Sequence, residues 1–156
     1  MAITVEIELQ YEFKVNGSAA EAFELLSDLP ACAKQYPKVD KLVDLGGGAY
    51  RWEMEKIGVG NANIQTIYAS KYVSDKAKGT VVWTPVKGEG NAEVSGNWKI
   101  TGGKKGTDLV MNVKGVLTVP LPGLMKMVVV PVVKGAFEKM TDEYIDNLAK
   151  QLGGEA

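Results

Sequence analysis

The last thirty residues constrain what the rest of the chain can become. From about residue 122 to 152 the apolar residues recur at helical spacing. Met125, Val129, Val132 and Ala136 fall along one line, and Val133, Phe137, Met140, Tyr144, Leu148 and Leu152 along its neighbour. Pro122 suits a first helical turn, where its missing N–H costs nothing, and Gly153-Gly154 suits the stop. A helix of about 28 residues is about 42 Å long. Nearly everything before it reads as strand. A chain of 156 residues with one such helix must bury it against a sheet, with either a packed core or a pocket between the two.

The earlier segments supply that sheet. Ile3, Val5, Ile7, Leu9, Tyr11, Phe13 and Val15 alternate with polar residues, which predicts a long strand with one buried face. Asn16-Gly17 turns the chain. Ser18 followed by Glu21 is a capping box opening a short helix that turns Ala22, Phe23, Leu25, Leu26 and Leu29 inward. Pro30 is expected to break it, and a second short helix is expected over 31–36. Strands follow at 39–45, 49–57, 62–73, 80–86, 92–100 and 109–119. Glycine-rich or polar turns separate them, including 46–48, Gly58 with Gly60, and the Lys/Gly loop 102–106. The spacing of these turns predicts hairpin-connected antiparallel neighbours.

Composition narrows the function. The chain has the length of one domain, 1–156, with 46% hydrophobic and 24% charged residues. Its net charge is −1, and its lysines form no basic stripe, so nucleic acid is not an expected partner. The N-terminus has no signal-peptide or transit-peptide pattern, and the apolar run near Val128 is broken by Pro131 and Lys134. A cytoplasmic protein is the simplest expectation. There is one cysteine, Cys32, and no histidine. Histidine triads, Cys–His dyads and histidine metal sites are therefore excluded, and no motif calls for a cofactor or a metal.

Several features carry candidate chemistry. Tyr11, Tyr50, Trp52, Met54, Tyr68, Trp98 and Met111 share the inward parity of their strands. They form either a filled core or an apolar pocket wall with a few polar tips. Met125, Val129 and Val132 belong to a helix start that is apolar nearly all round and interrupted by Pro131. That start reads as buried, as a gate over a pocket mouth, or as a docking surface. Gly46-Gly47-Gly48 matches no phosphate-binding spacing and reads as a turn. Arg51, Glu53 and Glu55 fall on the solvent face of their strand as cross-strand pairs. Cys32 reads as a buried, inert thiol.

This order of elements resembles the helix-grip fold of START-like proteins, the SRPBCC superfamily. The superfamily includes the birch-pollen allergens, START lipid-transfer domains, coenzyme Q-binding proteins and polyketide cyclase/dehydrase-type proteins. Three stretches carry the resemblance: the Gly46–48 loop, the segment GNAEVSGNWKITGGKKGTDLVMNVKG, and VPLPGLMKMVVVPVV leading into the last helix. The resemblance implies an α+β fold. A curved antiparallel sheet would wrap a long C-terminal helix, with two short helices after the first strand.

It also implies a cavity for a hydrophobic small molecule: a lipid, sterol, quinone or polyketide-like compound. Ten residues are the expected ligand contacts: Tyr11, Tyr50, Trp52, Met54, Tyr68, Trp98, Met111, Met125, Val129 and Val132. Two rival functions stand beside binding or transport. One is a polyketide aromatase/cyclase, for which only Tyr11, Tyr50, Tyr68 and Thr66 face inward as polar candidates and no carboxylate does. The other is a co-chaperone-like interaction module working through residues 124–133. That stretch would also serve a homodimer or a transient membrane contact.

Overall fold

The computed structural model describes residues 3–59 and 62–156. The chain runs β1 (Ile3–Val15), α1 (Ala19–Ser27), α2 (Leu29–Ala33), β2 (Val39–Gly46), β3 (Ala49–Met54), β4 (Ile57–Val59), β5 (Ala62–Ile64), β6 (Ile67–Asp75), β7 (Thr80–Gly90), β8 (Ala92–Gly103) and β9 (Gly106–Val119). A 3-10 turn (Gly123–Met125) then leads into α3 (Lys126–Gln151). The main sheet has seven strands in the order β1-β9-β8-β7-β6-β3-β2, and β4 and β5 form a separate two-stranded ribbon. All pairings are antiparallel. The curved sheet, the long C-terminal helix and the two short helices after β1 make the expected α+β helix-grip architecture.

Local chemistry explains the elements. β1 pairs with β9 without a slip from Ile3↔Val119 to Val15↔Thr107, so its apolar row lies on one face throughout. Ser18 Oγ accepts from the Glu21 N–H, and the Glu21 carboxylate accepts from the Ser18 N–H, closing the capping box of α1. Beyond α3 the chain is tied back to the turn after β1. Gly17 N–H donates to Leu152 O at 2.7 Å and Asn16 N–H to Gly154 O at 3.0 Å. A Cβ at Gly17 would press on that Leu152 carbonyl at 2.9 Å, which is why the turn takes glycine.

Several boundaries differ from the sequence expectation, among them the start of α3, which opens at Lys126 after a 3-10 turn and not at Pro122. Pro30 does not break α1. The helix ends at Ser27, and Asp28 caps the start of α2 with its side chain, placing Pro30 in the first turn of α2, where proline is tolerated. The second short helix therefore spans Leu29–Ala33 rather than 31–36. The expected strands 49–57 and 62–73 are each divided, because β4 and β5 peel away as their own ribbon. Gly60, read as part of that turn, lies outside the described residues. β7 continues to Gly90, past the end expected at residue 86. Pro131 lies inside α3, which runs on through it. With Val129 and Val133 fully buried on either side, packing holds the helix together where proline removes a backbone bond.

Three apolar clusters join helix to sheet. Tyr144, Ile145, Leu148 and Leu152 meet Trp98, Leu109 and Met111. Val129 and Val133 meet Ile3, Val5, Leu117 and Val119. Met140 meets Trp52, Met54, Leu29 and Ala33. No helix among the described residues is long and apolar enough to cross a membrane.

Candidate functional site

A cavity of about 110 Å³ lies between the concave face of the sheet and the middle of α3. Alternation on β3, β6, β7, β8 and β9 sends Trp52, Met54, Tyr68, Tyr72, Trp83, Trp98 and Met111 into it. α1 and α2 supply Leu26, Leu29 and Cys32, and Tyr36 follows just after. On α3, Phe137, Thr141 and Tyr144 stand four and three residues apart and share one helical face. All three tryptophans of the chain line this space. Among the described residues, no Asp, Glu, Lys or Arg does.

The rings form a continuous wall. Trp52 and Tyr68 stack with centroids 5.8 Å apart and planes 12° apart. Tyr36 makes an edge-type contact with Trp52 at 5.9 Å and a tilted one with Tyr144 at 5.0 Å, and Trp98 lies 6.4 Å from Tyr144. Tyr72 packs on Trp83 at 5.9 Å. Such offset and edge contacts suit aromatic quadrupoles and keep the wall rigid.

The polar atoms on the wall are mostly committed. Thr141 Oγ1 donates to the Phe137 carbonyl at 2.7 Å, so the 2.9 Å contact between Tyr36 Oη and Thr141 Oγ1 must have tyrosine as donor. Trp52 Nε1–H donates to Tyr72 Oη at 2.9 Å. Tyr144 Oη and Cys32 Sγ share a hydrogen at 2.8 Å. Burial favours the neutral forms of the phenols and the thiol. It pushes the Tyr36 phenol and the Cys32 thiol up to about 12, and holds Tyr68, Tyr72 and Tyr144 above the ordinary phenol value. An inert thiol is what such a Cys32 amounts to.

Five of the ten expected contacts meet at this cavity: Trp52, Met54, Tyr68, Trp98 and Met111. The other five lie elsewhere. Tyr11 is at the side of α3, its hydroxyl donating to Asp142 Oδ1 at 2.6 Å; burial, then that carboxylate, raises its pKa. Tyr50 lies against Tyr72 but does not line the cavity. Met125 and Val129 pack at the far end of the helix, over Ile3, Val5 and Val119. Val132 is 38% exposed and joins Leu124, Met127 and Val128 in an exposed apolar strip, so the start of the helix is not covered by the loop and short helices. The sequence reading passed over Tyr36, Tyr72, Trp83, Phe137, Thr141 and Tyr144. Parity on β6 and β7 could have found Tyr72 and Trp83; helical spacing put Phe137 and Tyr144 on the apolar line of α3 without marking them as ligand contacts, and it could have added Thr141. Nothing periodic marks Tyr36.

Arg51, placed on the solvent face, pairs with Glu53 at 3.1 Å and Glu89 at 3.5 Å, away from the cavity. Gly46, Gly47 and Gly48 all adopt positive φ in the β2–β3 turn.

Solved structures share this architecture. The aromatase/cyclase Zhui from Streptomyces sp. R1128 superposes with a TM-score of 0.67 at 11% identity, covering 94% of this chain and 93% of its own. A START superfamily protein from Mycobacterium smegmatis gives 0.66 at 14% identity, covering 93% and 96%. A conserved protein from Geobacillus kaustophilus gives 0.60 at 13% identity, covering 96% and 95%. At such identities the likeness is one of fold. No match was found among curated proteins. The family model described as polyketide cyclase / dehydrase and lipid transport matches residues 6–153. A match over nearly the whole chain, on a sheet that grips its last helix around an aromatic cavity, means that the protein belongs to that family.

Proposed function

We propose that this protein binds a hydrophobic small molecule in the cavity between the sheet and α3, as a carrier rather than a catalyst. The observation that carries the reading is the lining itself: a continuous aromatic wall with no ionised side chain on it. An apolar ring of aromatic side-chain size buries about 200 Å², about 5 kcal/mol at 25 cal/mol per Å², before the costs of association. The cavity's 110 Å³ approaches the roughly 150 Å³ known to admit benzene. It falls short of that value, so a single ring enters with a small outward shift of the lining side chains, and a larger lipid or polyketide requires more of them to swing aside.

The rival reading is the aromatase/cyclase activity for which several structural neighbours are named. Proton transfer in this cavity would fall to tyrosines, already protonated at neutral pH, whose pKa burial moves further from the operating pH that acid–base catalysis favours. That supports binding over acid–base catalysis.

Native mass spectrometry of the purified protein, followed by solvent extraction, tests the proposal. A retained hydrophobic molecule, lost from Trp52→Ala and kept by Tyr50→Ala, is the expected result. Equal retention in both variants would place the ligand outside this cavity and overturn the reading.

A further inference from the structure

Thr66 lies between β5 and β6, lines the cavity and is 2% exposed. Among the described residues its Oγ1 is the one buried side-chain polar atom without a hydrogen-bond partner. A buried hydroxyl left this way is costly and rare in folded proteins, and it asks for a partner.

The segment that carries it is held firmly. Asn91 clamps both flanking residues: its Oδ1 accepts from Ile67 N–H at 2.9 Å and its Nδ2 donates to Gln65 O at 2.8 Å, while its backbone N–H donates to Ile67 O at 2.9 Å. Gln65 Nε2 donates to Met54 O at 3.0 Å, and Met54 N–H donates to Thr66 O at 3.0 Å. Gly90, with φ +77°, lets the clamp sit close, since a Cβ there would run into the Ile67 carbonyl. The backbone groups that flank Thr66 are thus paired, and its hydroxyl is not.

Two more uncommitted donors follow on β6 at the same parity. Tyr68 Oη makes no hydrogen bond among the described residues. Tyr72 Oη accepts from Trp52, which leaves its own proton free. Both line the cavity. An anion entering here would lose its water and meet no cation, whereas a neutral acceptor oxygen would meet O–H groups.

From this we infer that Thr66, positioned by the Asn91 clamp, is a polar subsite for an uncharged, ring-bearing molecule that presents a carbonyl or similar acceptor oxygen. The inference rests on the cavity being a ligand site.

Three molecules of nearly one shape test it: acetophenone, α-methylstyrene, in which C=CH2 replaces C=O, and benzoate. Titration calorimetry at pH 7 on the wild-type protein is expected to show acetophenone binding about five- to tenfold more tightly than α-methylstyrene, and benzoate not at all. In Thr66→Val, which keeps the shape, the ketone falls to the affinity of the hydrocarbon while the hydrocarbon is unchanged. The unliganded Thr66→Val protein melts higher than wild type, because the unpaired hydroxyl is gone. Equal wild-type affinities for ketone and hydrocarbon, a ketone preference that survives Thr66→Val, binding of benzoate, or a lowered melting temperature each overturns the subsite and leaves the cavity reading standing. If none of the three molecules binds, the carrier reading fails and this inference fails with it.

Discussion

The indole N–H of Trp52 donates to the hydroxyl of Tyr72 at 2.9 Å, joining β3 to β6 across the cavity wall. The register pairs Trp52 with Tyr68, so Tyr72 reaches back over four residues of its own strand to make this bond. Tyr68 stacks on the same indole. One ring is therefore fixed by a face contact and an edge hydrogen bond at once, which explains how a large side chain can border a void without collapsing into it.

Tyr72→Phe keeps the ring and removes the acceptor. The Trp52 N–H is then buried without a partner, at a cost of about 1–3 kcal/mol. Urea denaturation should show that loss with an unchanged m-value. An unchanged midpoint would mean that the indole finds another acceptor and that the pair does not set the wall.

Gly96 sits opposite Trp83 on β7 and β8. A Cβ at position 96 would run into the Trp83 ring and the Asn112 carbonyl. Gly96→Ala should therefore cost about 1–3 kcal/mol as an overpacking change. It should also push Trp83 toward the cavity, weakening binding of any ring-sized ligand. A variant that keeps wild-type stability and binding would show that the close approach of Trp83 to this backbone has no part in shaping the site.

The fold was legible in the sequence because its signals are periodic and long. The thirteen-residue alternation of β1 and the helical spacing of α3 each survive local irregularities. The Ser18–Glu21 box was legible because its chemistry is local. The β4–β5 ribbon was not, since its two three-residue strands carry too few alternations to separate them from β3 and β6. The site was half legible. Strand parity identified Trp52, Met54, Tyr68, Trp98 and Met111 as inward, but inward is not the same as adjacent to a cavity. Tyr11 and Tyr50 share that parity and lie off it, because which inward residue meets a void depends on how far α3 stands from each strand. Thr66 was seen as inward. That its hydroxyl lacks a partner follows only from the fixed positions of Asn91, Gln65 and Met54.

Two neighbouring positions on α3 separate core from surface. Val129 is fully buried against Ile3, Val5 and Val119, whereas Met127 is 89% exposed. Val129→Ala should cost about 2 kcal/mol through lost burial and the space it leaves. Met127→Ser should stay within about 0.5 kcal/mol of wild type. Neither lines the cavity, so small-molecule affinity should be unchanged in both. A large loss of stability in Met127→Ser would mean that the exposed strip is covered in solution, and a dimer measured by light scattering would then identify the cover.

Alkaline pH should unfold the protein through its buried acids. The Cys32 thiol is raised by burial from 9.0 to about 12, and the Tyr36 phenol from 10.0 to about 12. Both groups are neutral when protonated. Above the unfolded value the unfolded chain has released the proton and the folded chain has kept it, so the unfolded state binds fewer protons and stability falls as pH rises. The contribution is whole below about pH 9 and declines up to about pH 12, by at most about 1.4 kcal/mol per pH unit for each group. Between pH 9 and 10 the thiol of the unfolded chain releases its proton ahead of the unfolded chain's phenols. Cys32→Ala should therefore flatten the fall in stability over that interval while leaving the steeper decline above pH 10 in place. Denaturation midpoints at half-unit steps of pH would show this directly. A slope between pH 9 and 10 that is the same in wild type and Cys32→Ala would mean that the thiol is not held protonated by the fold, and that the pocket beside Tyr144 is wetter than its packing implies.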